Sequence, residues 1–372
     1  MVNVLIFFRF ASAGLTRGDY QTDKNQLLLR IRCLHLASTS HLNVKVMLTD
    51  EKLISFKKLE VKAKKKIRLK DFSTKYEGKT LNKEDATQLL EMGRKRLAEI
   101  QDKLYAHNQY SVLIILQAMD AAGKDGAVKH IMSGFNPLGV KVYSFKAPNS
   151  HELDHDYFWR HTLALPARGE IAIHNRSHYE NVLVTRVHPE WILNENIPGI
   201  DSLKKIDDKF WENRFKQIRR FEKNLTDNGT IIMKFFLHVS KKEQKKRFLE
   251  RIEDLSKNWK FSLADLKERG FWDEYQKAYS EAISATSTEH APWFIIPADD
   301  KWFARLAIAS VIYRKFEELD LSYPTVSEAQ KVALQKARVQ LLGEAEAEKP
   351  VISRKKASAK RAAPRAKKAV SK

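Results

Sequence analysis

The sequence predicts an α/β protein, a three-layer α/β/α domain with helices on both faces of a five-stranded parallel sheet. Two observations carry this. Short apolar or β-branched runs alternate with longer segments of helical periodicity from about residue 81 to residue 321. Runs that are apolar throughout suit strands buried on both faces, and their alternation with helices suits parallel crossovers. A hydrophobic fraction of 43% with 10% aromatics can build a core, and 372 residues allow one large domain.

Taken in order, residues 1–70 show no clear pattern and end in a lysine-rich run, 57–70, so they read as a weakly structured extension. The opening apolar stretch 4–8 is cut by Arg9 and has no lysine or arginine before it, unlike a signal peptide. No apolar run reaches the ~20 residues of a membrane helix. The single cysteine, Cys33, excludes an intramolecular disulfide and a cysteine metal cluster, which suits a cytoplasmic protein. Leu89, Leu90, Met92, Leu97, Ile100 and Leu104 give 81–105 a helical spacing. Strands are expected at 112–116, 140–145, 171–174, 230–237 and 293–296, with helices at 203–225, 241–255 and 302–319. Residues 326–372 read as a largely disordered basic tail, with nine Lys/Arg and no acid from 350 onward. The net charge of +21 favours a polyanionic partner, whether nucleic acid, polyphosphate or an acidic membrane surface.

One strand-to-helix junction carries chemistry. Segment 112–126 reads as a buried strand, a turn of small residues, Gly123-Lys124, and then a helix through Val128 and Ile131. Backbone N–H groups of such a turn, with the helix N-terminus, form a nest for phosphate, and the lysine reaches the outer phosphates. The pattern departs from G-x-x-x-x-G-K-[ST] twice. Ala118 stands at the first glycine, and Asp125 at the hydroxyl residue that usually holds magnesium. Asp120 adds a carboxylate able to bind a divalent ion or to cap the helix.

Met119-Asp-Ala-Ala-Gly-Lys-Asp-Gly126 is followed by Asn175-Arg-Ser-His-Tyr-Glu180 at a strand end. The pair resembles the polyphosphate kinase 2 family, which carries a loop of type G-x-D-A-x-G-K-x-G and a second motif of type D-R-S-W-Y. The resemblance extends through 145–148, 153–160 and 261–269, and covers about 71–321. It implies a P-loop kinase fold similar to thymidylate kinase, with a helical lid, over 71–325. By resemblance Asp120 would bind Mg2+ (or Mn2+), Lys124 would hold the transferring phosphoryl group, and Arg176 would bind phosphate near the reaction centre. Phosphate and nucleotide contacts would come from Ala121, Ala122, Gly123, Asp125, Gly126, Lys146, Asp156, Arg160, Asn175 and Glu180. The lid would carry Arg247, Arg251, Lys257 and Lys260. Asn175 replaces the second motif's leading aspartate, and with Glu180 it resembles the branch acting on both AMP and ADP. Inorganic polyphosphate, AMP, ADP and ATP are then the expected substrates, and a homo-oligomer, dimer or tetramer, the expected assembly.

Phosphoryl transfer needs placement and cations more than covalent chemistry, so direct in-line transfer is expected. A phosphohistidine would instead point to His174, His178 or His188. His151, His155 and His161 lie close in sequence, and solvated or hydrogen-bonded histidines are expected there rather than a zinc site. Trp159, Trp191, Trp211, Trp259 and Trp272 read as core or as stacking platforms. Arg214, Lys216, Arg219 and Arg220 read as a polyphosphate stripe or as a solvated face. Two other functions fit the composition: an ATP-dependent nucleoside monophosphate kinase, and a nucleic-acid-binding protein acting through the basic tail. The motif pair favours the polyphosphate donor over both.

Overall fold

The computed structural model describes residues 56–79 and 81–347. Its sheet begins in the lysine-rich run, where β1 (Glu60–Val61) pairs antiparallel with the last strand. Helix α1 (Lys83–His107) starts at a capping box between Asn82 and Asp85, and stops at Asn108 in the left-handed region. All eight residues of β2 (Ser111–Ala118) are buried. Helix α2 (Lys124–Met132), β3 (Val140–Ser144), β4 (Ile171–Asn175) and α3 (Glu180–Val187) follow. Asp207 caps α4 (Asp208–Asp227), which leads to β5 (Thr230–His238). Ser240 caps α5 (Lys241–Glu253), and the short α6 (Leu263–Glu268) follows it. Helix α7 (Trp272–Thr286), β6 (Trp293–Pro297) and α8 (Lys301–Glu317) close the domain.

The strand order is β1-β6-β5-β2-β4-β3. The five expected strands are parallel, with Val112 of β2 opposite both Ile171 and Ile231. Helix α8 packs on α1 and α2, and α7 on α3 and α4, giving the two helical layers. From β2 the chain first builds one side (β3, β4) and later the other (β5, β6). The crevice beyond the carboxyl end of β2 is therefore the switch point where open α/β sheets bind ligands.

Two expectations are corrected. The extension was expected to run to residue 70, yet Leu59, Val61, Ile67 and Leu69 are buried and join the core. Lysines between these apolar residues hide a half-buried alternation that suits a sheet edge. The tail was expected to be disordered, but α9 (Glu328–Ala347) forms in it, in a separate compact unit that begins at Pro324. Its alanine, leucine, glutamine, lysine and glutamate are strong helix formers. Residues 1–55, with Cys33, and the basic end after 347 lie outside the described residues. No helix among the described residues is long and apolar enough to cross a membrane.

Candidate active site

Where β2 ends, the chain turns through Ala121 (φ 58°) and Gly123 (φ 106°) into α2. Glycine accepts this left-handed backbone freely, while alanine there costs about 1 kcal/mol, so neighbours must hold the loop. Arg247 of α5 does. Its Nη1 donates to the Ala121 and Ala122 carbonyls (3.0 and 2.8 Å), and its Nη2 to those of Ala298 and Asp299 (2.7 and 2.9 Å). Its Nε donates to Glu243 (2.8 Å), and Gln244 Nε2 to the Asp120 carbonyl (3.0 Å). Arg247, expected in the lid, is thus a buried brace under the phosphate loop. Helix α5 places it there by running out from the end of β5 beside the loop.

Lys124 folds its Nζ onto the Ala118 carbonyl at 2.9 Å. Burial, and after it the Arg176 cation, lowers its pKa. An arriving phosphate would answer both, so the loop is electrostatically prepared for an anion.

The second strand end faces the loop. Arg176 also sits in the left-handed region (φ 65°), with its N–H donating to the Leu116 carbonyl (3.1 Å). Its Nη2 reaches Asp120 Oδ1 at 3.2 Å. Burial works against its charge, but Glu180 and Asp120 outweigh that and raise its pKa. Asn175 donates Nδ2 to Asp125 Oδ1 (2.9 Å) and to Ser144 Oγ (3.3 Å). A carboxylate only accepts, so the amide orientation is fixed. That leaves Asn175 Oδ1 buried without a hydrogen-bond partner. Burial pushes the Glu180 carboxyl above its ordinary range, and does the same to Asp265.

Two cavities meet here. The first, about 700 Å³, holds the loop residues 120–126, Asn175, and the cations Lys146, Arg176, Arg251, Lys257, Lys260 and Lys301. The second, about 490 Å³, is lined by Met119, Pro148, Leu153, Tyr157, Val184 and Trp191, with Asp156, Arg160 and Glu180 on its polar side. Asp120, Lys146, Arg176 and Asp265 line both. Arg160 is already engaged, donating to Glu152 (3.0 Å) and to the Lys146 carbonyl (2.6 Å), so it positions that wall.

Every residue expected at the site lines one cavity or the other. Sequence reasoning missed Asp265 and Lys301. Asp265 lies within the 261–269 stretch that resembles the family, whereas Lys301 has no motif to mark it. The basic stripe is broken: Arg214 is buried against Glu195, and Arg219 donates to the Ala285 carbonyl, while Lys216 and Arg220 face solvent. Trp211 and Trp272 are buried, whereas Trp191 and Trp259 are exposed at the second and first cavity. His174 and His178 are only 1% exposed, too enclosed to accept a phosphoryl group. Among the described residues no group of three His, Cys, Asp or Glu could hold a metal ion.

The family model for polyphosphate kinase 2 matches residues 80–323, which carry both cavities. The chain belongs to the polyphosphate kinase 2 family. It is 47% identical over 289 residues to the ADP-polyphosphate phosphotransferase of Rhodopseudomonas palustris, covering 78% of this chain and 99% of that protein. The AMP/ADP-polyphosphate phosphotransferase of Meiothermus ruber is 43% identical over 254 residues, 68% of this chain and 88% of that one. The crystal structure of polyphosphate kinase 2 from Arthrobacter aurescens superposes with a TM-score of 0.68 at 40% identity. It covers 76% of this chain and 95% of that one. As a member of this family the protein is a phosphotransferase with a P-loop kinase fold.

Proposed function

We propose that the protein reversibly transfers the terminal phosphate of inorganic polyphosphate to AMP and ADP, giving ADP and ATP. The observation that carries this is the pair of cavities meeting at Asp120 and Arg176. A run of cations suits a chain of phosphates, and an apolar, aromatic pocket suits a nucleoside. In this reading an oxygen of the nucleotide phosphate attacks the terminal phosphorus of the polyphosphate from the second cavity. The bond from that phosphorus to the bridging oxygen breaks, and the electron pair leaves with the shortened polyphosphate. Lys124 and Arg176 hold the transferring group, while Arg251, Lys257 and Lys260 close from the lid and exclude water. The acceptor oxygen is already ionised, so no general base is required. Buried His174 and His178 are consistent with transfer that forms no phosphoenzyme.

A magnesium ion of this kind is held by one or two protein groups and by substrate phosphates. Asp120 and the unpartnered Asn175 Oδ1 fit that requirement. Bound there, magnesium would neutralise charge on the phosphates. Assembly into dimers or tetramers and a cytoplasmic location belong to the same proposal. Light scattering of the purified protein tests the first.

The test is nucleotide formation from polyphosphate and magnesium, with AMP and ADP supplied separately, beside Lys124→Ala. Both products should form and both should be lost in the variant, by about 10²-fold or more. Product from one acceptor alone would overturn the dual-acceptor reading. Transfer only from ATP would replace the donor.

A further inference from the structure

The lysine-rich run has no part in the site above, yet the fold holds it firmly. Val61 of β1 pairs opposite Trp293 at the start of β6. From there the Ile67 N–H donates to Ser284 Oγ (2.9 Å) and the Leu69 N–H to Ser280 Oγ (3.1 Å), so the segment runs antiparallel to α7. Beyond β6 the Thr74 carbonyl accepts from the Asp299 N–H (2.9 Å), and Tyr76 stacks on Phe303 with centroids 4.5 Å apart. The ribbon thus turns through residues 62–66 beside the amino end of β6, then returns along α7 to the carboxyl end of the sheet, beside Lys301 of the first cavity.

Lys62, Lys64, Lys65, Lys66, Arg68 and Lys70 all point to solvent along this path, while Ile67 and Leu69 anchor it. Arg68 is paired with Asp71 at 2.9 Å. Among the described residues Lys62, Lys64, Lys65 and Lys66 enter no ion pair. Like charges fixed side by side repel unless a polyanion joins them. No aromatic residue stands between Lys58 and Asp71, so the ribbon lacks the stacking platforms of a single-strand nucleic-acid site. A polyphosphate chain needs only point charges.

We propose that this ribbon is an outer binding surface for polyphosphate, holding the far part of a chain long enough to run from the first cavity past Lys70 to the lysine turn at the amino end of β6; it rests on the donor assigned above. The test compares wild type with Lys62→Gln/Lys64→Asn/Lys65→Gln/Lys66→Gln, asparagine being chosen for the left-handed Lys64 (φ 61°). With long-chain polyphosphate the KM should rise about tenfold and its salt dependence should flatten. With tripolyphosphate KM and kcat should stay unchanged, and so should the unfolding temperature. An unchanged long-chain KM, or an equal rise for both donors, overturns the proposal. Loss of RNA affinity with polyphosphate kinetics intact also overturns it and gives the surface to nucleic acid. Equilibrium binding of labelled long-chain polyphosphate, read without turnover, separates the two claims. Binding that the variant weakens supports the ribbon even if transfer from polyphosphate fails. Binding that the variant leaves unchanged removes the ribbon even if transfer succeeds.

Discussion

Arg247 shows how much one buried side chain can decide. Four backbone carbonyls from the phosphate loop and the segment after β6 depend on its guanidinium. Arg247→Ala would leave buried acceptors unsatisfied, so it should cost about 3 kcal/mol in denaturant unfolding and abolish turnover. Lysine lacks the planar fork, and Arg247→Lys should restore little of either. His174 gives a pH effect of definite sign. Burial lowers its pKa from 6.5 to about 4, so the fold favours the neutral ring. Its contribution, roughly 3 kcal/mol from that shift, is complete above pH 6.5 and drains away as the pH falls towards about 4. Thermal unfolding across that window should show a steeper loss in wild type than in His174→Gln.

Between elements, a buried ion pair joins β5 to α4 beneath the second motif. Lys234 Nζ donates to Glu222 (2.6 Å), to Tyr179 Oη (3.0 Å) and to the Thr286 carbonyl (2.8 Å). Tyr179 in turn donates to Glu222 (2.8 Å). Burial opposes the Glu222 charge, yet Lys234 keeps its pKa below the ordinary range. The network thereby ties α7, α3 and the Arg176 turn to one strand. Lys234→Met should cost about 4 kcal/mol, because it strands a buried carboxylate. Lys234→Met/Glu222→Gln should recover part of that loss. A double-mutant cycle by urea unfolding measures the coupling, and additive losses would show that the two residues act separately.

For the whole molecule, the buried core among the described residues lies between Leu59 and Phe316. Removing residues 324–372 should therefore leave the unfolding temperature and nucleotide turnover near wild type, as calorimetry and the transfer assay can check. Removing residues before 71 should do the opposite. It strips β1 from β6 and uncovers the apolar faces that Val61, Ile67 and Leu69 protect, so a lowered unfolding temperature and aggregation are expected.

Much of the site was legible because its parts are local. The phosphate loop is a strand, a turn and a helix start within 112–126, and the second motif is a strand end within 175–180. Backbone conformation and hydrogen bonding over a few residues depend on neighbours in the chain, so residue order encodes them directly. The five parallel strands were legible for the same reason, as short apolar runs separated by segments of helical periodicity. What tertiary structure alone decided joins residues far apart in sequence. Arg247 braces a loop more than a hundred residues away, and Lys301 and Asp265 enter a cavity begun by Asp120. The amide orientation at Asn175 follows from Asp125 on another element. β1 became a strand because β6 presents an edge to it, although its own residues carry more charge than β signal. The order of residues determined the strand-turn-helix loop and the second strand end, and packing of the sheet decided which distant side chains support them.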